Sequence, residues 1–202
     1  MSGVFAVASR NDCVLDLFYG TDYHSHLGTC RGGLAARNGK GLTRVIHDIS
    51  NAQFRSKFEG DLSRISGHTG IGVISDYEDQ PLIIGSHLGV YAIVTVGVVR
   101  NADALAHEAF GKRTTHFSEM SGGEINPTEL VATLINQGAT FEEGIRCAQE
   151  RIVGSCSILL LTDKGVYAAR DRLGRTPLIV GRRKDAFAVT LETCALPNLG
   201  FE

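Results

Sequence analysis

The sequence predicts a layered α+β sandwich, because two groups of strand-like segments are separated by two helical segments. The first group lies within residues 4–97, the second lies within residues 155–191, and the helical segments lie within residues 127–152. A chain of 202 residues with 43% apolar content can bury one good-sized core. We therefore expect a single domain that covers residues 1–202.

The first half is predicted to be rich in strands. Short apolar or β-branched runs between turn signals predict strands at residues 4–9, 33–37, 42–47, 70–75, 81–85 and 89–97. Asn11 or Asp12 is expected to cap a helix that begins near Val14. A second helix is predicted over residues 54–65 from apolar residues at helical spacing, namely Phe54, Phe58, Leu62 and Ile65.

The second half is predicted to place helices before the second group of strands. Asn101 is expected to cap a helix that runs through Phe110, and the polar residues 111–126 predict a mobile surface loop. Pro127 suits the first turn of the next helix. A further amphipathic helix is expected from one apolar face, made of Phe141, Ile145, Ala148 and Ile152. Strands are expected at residues 155–162, 165–170, 177–181 and 187–191, with a basic, solvated turn at residues 182–185.

The composition argues against several classes of partner. A net charge of −2 and a pI near 6.4 give no reason to expect nucleic acid or an anionic membrane. No apolar run reaches the roughly 18–20 residues that span a bilayer, and the first residues lack the pattern of a signal peptide. The five cysteines are scattered without a C-x-x-C pair, which favours reduced thiols and a cytoplasmic location.

The sequence also offers little to a metal ion or a nucleotide. His24 and His26 form an H-x-H pair that could hold a metal on one face of a strand. No cysteine or carboxylate cluster surrounds them in the sequence, so we expect packing or surface roles and no metal. There is neither a Walker-type glycine loop nor a dinucleotide-binding fingerprint. A nucleotide-binding module is therefore the weaker interpretation, and no cofactor is expected.

Several segments resemble one family of enzymes. The chain starts M-S-G-V-F-A-V, residues 169–178 read A-R-D-R-L-G-R-T-P-L, and residues 192–196 read E-T-C-A-L. Shorter matches are Gly70-Ile71-Gly72, Gln80-Pro81 and Asn101-Ala102. Together these segments resemble class II glutamine amidotransferases of the amidophosphoribosyltransferase type. The resemblance implies a four-layer αββα sandwich of the N-terminal-nucleophile hydrolase type.

The resemblance also shows where the chemistry of that family has changed at the nucleophile and the oxyanion site. The family uses an N-terminal cysteine, exposed by loss of Met and activated by its own α-amino group, and Ser2 stands at that position here. Its oxyanion donors are an asparagine and a glycine N–H, which correspond to Val96 and Gly97. Only the Gly97 donor is kept, and loss of one such donor costs about 10²–10³ in rate.

The positions that the family uses to hold glutamine are altered as well. An arginine that clamps the glutamine carboxylate corresponds to Ser75, and a neutral hydroxyl cannot replace a bidentate guanidinium. In the H-R-G-Q segment a second arginine corresponds to Leu27, which is followed by Gly28. The aspartate that holds the glutamine ammonium corresponds to Pro127, where Asn126 or Glu124 offers partial compensation.

Two functions follow from this pattern. The first is a domain that has lost or strongly reduced glutamine hydrolysis and acts as a structural or regulatory part of an amidophosphoribosyltransferase homologue in the purine-biosynthesis family. The alternative is an active Ser-based N-terminal-nucleophile glutaminase or amidase that supplies ammonia to a phosphoribosyltransferase domain, which requires removal of Met1. Both place a phosphoribosyltransferase-like domain downstream of residue 202, because the chain ends without an evident terminal element, and both allow a homo-oligomer.

The altered positions leave one further question open. Apolar residues near them would suit a different ligand, or they would simply fill a vacated polar pocket. These residues are Val73, Ile74, Val96 and Val98. An engineered change would account for Ser2 alone and would leave Leu27, Ser75 and Val96 unexplained.

Overall fold

The computed structural model describes residues 2–111, 117, 120–121 and 124–202. In the first half, β1 (Gly3–Ser9) is followed by α1 (Val14–Asp22), and two paired strands come next, β2 (Arg31–Asn38) and β3 (Gly41–Asp48). Then come the short helix α2 (Phe54–Phe58), a 3-10 turn (Glu59–Asp61), and three strands, β4 (Thr69–Ser75), β5 (Leu82–Ser86) and β6 (Gly89–Val99).

The second half begins with helices and returns to strands. Helix α3 (Ala102–Gly111) precedes two short strands, β7 (Met120–Ser121) and β8 (Glu124–Ile125), and the helices α4 (Pro127–Ile135) and α5 (Phe141–Arg151) follow. The remaining elements are β9 (Gly154–Thr162), β10 (Gly165–Ala169), β11 (Ile179–Arg183), β12 (Ala186–Thr190) and the short helix α6 (Ala195–Asn198).

The described strands form two main antiparallel sheets. The six-stranded sheet has the order β11-β12-β1-β4-β2-β3, and the four-stranded sheet has the order β10-β9-β6-β5. Strand β1 therefore lies in the middle of the larger sheet, between β12 and β4. Because β1 is a central strand, the start of the chain is hydrogen-bonded to a strand on each side.

The helices and sheets form four layers, and a cluster of buried hydrophobic side chains fills each of the three spaces between them. The first lies between the larger sheet and helices α1, α2 and α6, and it includes Phe5, Leu17 and Phe58. The second lies between the two sheets and includes Val4, Val73 and Val96. The third lies between the smaller sheet and helices α3, α4 and α5. This helix–sheet–sheet–helix order confirms the predicted four-layer α+β sandwich.

Several local predictions need correction. The helix predicted over residues 54–65 ends at Phe58 and gives way to the 3-10 turn. Gly60 disfavours continuation of the helix, and the Asp61 carboxylate lies 2.7 Å from His47 Nε2, which holds the turn against β3. The apolar spacing nevertheless indicated burial correctly at Phe54, Phe58 and Ile65.

The predicted helix caps were only partly right. The residue before α1 is Cys13, although the Asp12 carboxylate accepts the Val14 N–H at 3.0 Å. Asn101 directly precedes α3, and its carbonyl accepts the Leu105 N–H at 3.1 Å, whereas its side chain bonds to a different segment. The side chain donates to the Arg151 carbonyl and accepts the Val153 N–H, both at 2.9 Å, so it holds the end of α5 instead.

Further differences concern the loop at residues 111–126 and the end of the chain. Most of that loop lies outside the described residues, and its described parts include the β7–β8 pair. Strand β11 begins two residues later than predicted, at Ile179. A terminal helix, α6, is present although none was expected. Glu202 then exchanges two backbone hydrogen bonds with Arg182, at 2.7 and 2.9 Å.

No helix among the described residues combines the length and the apolar character needed to cross a membrane.

Candidate active site

Ser2 and Ser75, where the resemblance places the nucleophile and the carboxylate clamp, adjoin at one end of the larger sheet. Gly3 in β1 lies opposite Ile74 in β4, so Ser2 and Ser75 are the next residues along the two paired chains. Ser2 is half-buried and Ser75 is only 2% exposed. The proximity of these two residues thus follows from the strand register.

The Ser75 hydroxyl is already used by its own loop. Its Oγ accepts the backbone N–H groups of Tyr77 and Glu78, each at 3.3 Å. Because a buried hydroxyl in a tight turn carries no charge, it offers no salt bridge to a ligand carboxylate.

The nearest arginine in the register does not take over this role. Arg31 lies opposite Ser75 in the β2–β4 pair. Its guanidinium contacts Asp48 Oδ2 at 2.5 Å and Asp79 Oδ1 at 2.9 Å. Two carboxylates therefore pair with this cation at the surface.

Val96 and Gly97 lie at the corresponding end of the smaller sheet. Val96 is 8% exposed and belongs to the cluster between the sheets, together with Val4 and Val73. Gly97 has φ +146°, and a Cβ there would lie 2.0 Å from the Ser155 carbonyl oxygen. Glycine is thus required at this close approach of β6 to β9, whatever its N–H does.

The apolar residues near the altered positions do not form one pocket. Val73 and Val96 pack between the sheets, whereas Ile74 belongs to the cluster on the helix side. Val98 is 63% exposed. This distribution favours ordinary packing over a new apolar ligand site.

Leu27 and Gly28 lie in the turn between α1 and β2. Leu27 is half-buried and Gly28 is buried. The next residue, Thr29, donates its backbone N–H to Asp76 Oδ1 at 2.7 Å. This contact ties the turn to the residue that follows Ser75.

Asn126 and Pro127 form the start of α4. Asn126 is the N-cap, and its Oδ1 accepts the Glu129 N–H at 3.0 Å, while Pro127 occupies the first turn as predicted. Glu78 lies in the β4–β5 loop, where burial has the largest effect and raises its pKa, while Thr128 and the Asn126 side chain lower it. An acidic group thus stands directly beside Pro127, although it belongs to another segment.

Polar contacts continue from α4 to β6. The hydroxyls of Thr95 and Thr128 are 2.6 Å apart, and both residues are buried. Gln80 bonds to both backbone groups of Thr95, with Oε1 accepting its N–H at 2.8 Å and Nε2 donating to its carbonyl at 3.2 Å. Burial raises the pKa of Glu78, against the hydrogen bonds from Thr128 and Asn126.

A buried histidine supports the start of β1. His24 is fully buried, and a Cβ on Gly3 would lie 2.4 Å from its Cβ. Its Nδ1 lies 2.9 Å from the Gly20 carbonyl oxygen and its Nε2 lies 2.9 Å from Thr190 Oγ1. Burial lowers the pKa of His24, against the effect of the Gly20 hydrogen bond. His26 instead contacts Glu192 at 2.9 Å near the surface, so the two histidines of the H-x-H pair have different partners.

Several of these residues were not predicted from the sequence. Asp76, Glu78 and Arg31 were not singled out, and the signal that could have found the first two is the acidic run that directly follows Ser75. The partners of that run come from distant segments, which a local pattern does not reveal.

The comparison with known families agrees with this geometry. A profile described as a glutamine amidotransferase domain matches residues 68–198, which is more than half of the chain. This chain belongs to the glutamine amidotransferase domain family. The amidophosphoribosyltransferase of Methanocaldococcus jannaschii is 28% identical over 214 aligned residues, which cover 100% of this chain and 44% of that protein. The Bacillus subtilis amidophosphoribosyltransferase is 26% identical over 98% of this chain and 42% of its own length.

Solved structures give the same assignment for the fold. Glutamine phosphoribosylpyrophosphate amidotransferase from B. subtilis, complexed with ADP and GMP, superposes with a TM-score of 0.86 at 26% identity, over 98% of this chain and 44% of that one. This glutamine amidotransferase domain therefore has the N-terminal-nucleophile hydrolase fold and is similar to part of these amidophosphoribosyltransferases. It spans less than half the length of these relatives.

Three of the five cysteines have a raised pKa. All five cysteines are free, and burial raises the pKa of Cys13 and of Cys156 to about 12. Burial also raises the pKa of Cys194. Within the described ranges, no group of three or more His, Cys, Asp or Glu side chains is arranged to hold a metal ion.

Proposed function

We propose that this glutamine amidotransferase domain does not hydrolyse glutamine at an appreciable rate and serves a structural or regulatory role in an amidophosphoribosyltransferase-like protein. The observation that carries the proposal is the state of Ser75. At the position of the carboxylate clamp there is a buried hydroxyl, bonded to the N–H groups of its own loop. The adjacent Arg31 is neutralised by Asp48 and Asp79.

The substitutions at the nucleophile and oxyanion positions also disfavour glutamine hydrolysis. Ser2 provides a hydroxyl, which is a weaker nucleophile than a partly ionised thiol. Val96 takes the place of a polar oxyanion donor and is packed between the sheets. A substrate would therefore lack its clamp, one oxyanion donor and the thiol together, and their combined loss supports a non-catalytic role.

The downstream partner is also part of the proposal. The relatives extend beyond the region that this chain matches, and they are named amidophosphoribosyltransferases. We infer that a phosphoribosyltransferase-like domain follows in the same polypeptide and uses free ammonia or has another role. The free cysteines suit the reducing environment of the cytoplasm.

The competing function is a Ser-based amidase, and one observation favours it. Ser2 is only half-buried, and it lies at the end of a strand beside Ser75, where removal of Met1 would expose its amine. Hydroxyl nucleophiles with an N-terminal amine as base are chemically sound.

Glutamate release from glutamine tests both functions. The protein is prepared with Met1 removed, confirmed by intact mass, beside Ser2→Cys and a Ser9→Cys control that places a thiol at the other end of β1. We expect no release above the Ser9→Cys background from any of them. Release by the trimmed protein itself would establish the amidase. Release by Ser2→Cys alone would mean that the pocket still binds glutamine and that Ser75 and Val96 do not disable it.

A further inference from the structure

A cavity of about 860 Å³ opens at the end of β1 that lies farthest from Ser2. It lies between that end of the strand and the basic turn that joins β11 to β12. Because β1 has seven residues and a strand rises about 3.3 Å per residue, roughly 20 Å separate this cavity from Ser2. We call it the hairpin cavity, and its lining includes Ser9, Arg10, Thr69, Arg182, Lys184 and Phe187.

Three cations of the hairpin cavity have no acidic partner. Arg10, Arg182 and Lys184 are exposed, and none of them forms an ion pair within the described ranges. The neighbouring Arg183 differs, because its guanidinium pairs with carboxylates on α1 and in the turn. The run of three basic residues at 182–184 thus uses its middle member to hold the fold and leaves the outer two without a carboxylate.

Carboxylates offset only part of this positive charge. Asp185 lines the cavity, but it already contacts Arg183 Nε at 2.9 Å and Asn11 Nδ2 at 2.8 Å. Glu202 is the other acidic residue of the lining. With Arg183 included, the lining holds four cationic and two acidic side chains, although the whole chain carries a net charge of −2. A multiply charged anion would relieve the repulsion among these cations.

An exposed aromatic ring lies beside the cations. Phe187 is 57% exposed and lies directly opposite Arg182 in the β11–β12 pair. Directly opposite residues of an antiparallel pair project from the same face of the sheet, with Cβ atoms about 4.5–5.5 Å apart. On its other side Phe187 lies opposite Ala8, which in turn lies opposite Thr69. The face therefore presents a guanidinium, a flat apolar ring and a hydroxyl in one row.

The ring is exposed because the smaller sheet stops short of it. Val189, two residues further along the same face of β12, packs against the cluster between the sheets. Val180 lies opposite Val189 on β11 and is 65% exposed, so the cover ends between these two strands. The apolar surface beside the cations is thus part of an inner sheet face that the described residues leave open.

We propose that the hairpin cavity binds a small phosphate ester that carries a flat apolar group. The unpaired cations meet the phosphate, and the Phe187 ring stacks on the apolar group. Arg182 suits this role because a planar guanidinium forms two parallel hydrogen bonds with phosphate oxygens. A concave site of this volume fits a small molecule. It lies at the opposite end of β1 from Ser2, so the inference goes beyond the proposed loss of glutamine hydrolysis and does not depend on it.

The test is an NMR titration of the 202-residue domain with phenyl phosphate. This probe combines one phosphate with one flat ring, and sodium chloride at equal ionic strength controls for screening. We expect saturable shifts of the backbone amide signals of Thr69 and Phe187, and no shift for Ser75 at the other end of the sheet. Inorganic phosphate should shift the same two signals with about fivefold weaker affinity, since it lacks the ring.

Substitutions of exposed side chains separate the two parts of the site. Arg182→Gln should weaken the binding of both phosphates by about fivefold, because a charge-assisted contact is lost. Arg172→Gln is the matched control, since Arg172 is also exposed and forms no ion pair in the described part of the chain. Phe187→Ser should weaken only phenyl phosphate. Leu173→Ser, which removes a 70% exposed side chain elsewhere, should change neither affinity.

Three results would overturn the proposal. Equal affinities of Arg182→Gln and Arg172→Gln, or no saturable shift at Thr69 and Phe187, would mean non-specific attraction to basic residues. Equal affinities of the wild type for phenyl phosphate and inorganic phosphate would mean that the ring of Phe187 takes no part. Finally, co-sedimentation with vesicles that contain phosphatidic acid, if lost in Arg182→Gln, would assign the cavity to a lipid headgroup. We expect the protein to stay in the supernatant.

Discussion

Arg183 in β11 forms a two-pronged ion pair with Asp16 in α1. Its Nη2 lies 2.7 Å from Asp16 Oδ2 and its Nη1 lies 3.2 Å from Oδ1. The same guanidinium donates to the Leu199 carbonyl at 2.9 Å and lies 4.6 Å from the centre of the Phe201 ring. One side chain therefore joins an edge strand, the first helix and the last turn of the chain.

Replacing Arg183 by lysine should destabilise the fold although the charge is kept. Lysine cannot contact both Asp16 oxygens and the Leu199 carbonyl together, so we expect a loss of about 1–2 kcal/mol in the free energy of unfolding. Urea denaturation measures this change. The neighbouring Arg182→Lys is the matched control and should stay within about 0.5 kcal/mol. Equal effects of the two substitutions would contradict the role given to Arg183.

A second prediction separates the structural role of Gly97 from any catalytic one. Gly97→Ala should destabilise by at least about 2 kcal/mol, because alanine is strained at a positive φ and its Cβ would meet the Ser155 carbonyl. Gly85→Ala in β5 is the control, since a Cβ there meets open space. Chemical denaturation of both variants is the measurement, and a Gly97→Ala variant as stable as the wild type would show that β6 can shift away from β9.

The strands and the main helices were predictable because their signals are local. Apolar runs between turn residues located β1 and β4, and Pro127 located the start of α4 because its fixed φ suits a first helical turn. The 54–65 segment was assigned too long a helix because its apolar spacing reports burial, which a 3-10 turn also satisfies.

The main positions of the candidate site could be predicted from the sequence, but the hydrogen bonds and ion pairs that connect them could not. Substitution at Ser75 could be seen in the sequence, whereas the use of Arg31 by Asp48 and Asp79 depends on strand register. The contact of Asp76 with Thr29 spans 47 residues, and that of Thr190 with His24 spans 166. Such long-range pairs follow from the topology of the sheet, which no short window of sequence contains.

The third prediction concerns the protonation of His24. Its pKa lies below 6.5 because burial disfavours the charged ring, and the Gly20 carbonyl opposes this effect only in part. The stability that depends on the neutral ring is therefore complete above pH 6.5 and is lost as the pH falls below that value toward the folded pKa. NMR titration should show the His24 ring signals still unprotonated at a pH where a histidine reference peptide is half-titrated. A midpoint at or above that of the peptide would contradict the burial of a neutral ring.

The last prediction uses the enclosed carboxylate of Glu78. Burial raises its pKa above the ordinary value of 4.5, so the folded state binds its proton more tightly than the unfolded chain does. The stability associated with the protonated form is present below pH 4.5 and is lost as the pH rises through the folded pKa. Glutamine stays neutral at every pH, so the stability of Glu78→Gln relative to the wild type should increase between pH 4 and pH 7.

Urea denaturation across this pH range measures that difference, and Glu142→Gln provides a control of opposite sign. The pKa of Glu142 is lowered by its own backbone N–H and by hydrogen bonds from the hydroxyls of Tyr167 and Thr140. Its carboxylate therefore contributes stability above the ordinary pKa, and Glu142→Gln should lose stability relative to the wild type as the pH rises through the lowered pKa. The same sign in both variants would mean that the pH dependence reflects the net charge of the protein and not the enclosure of Glu78.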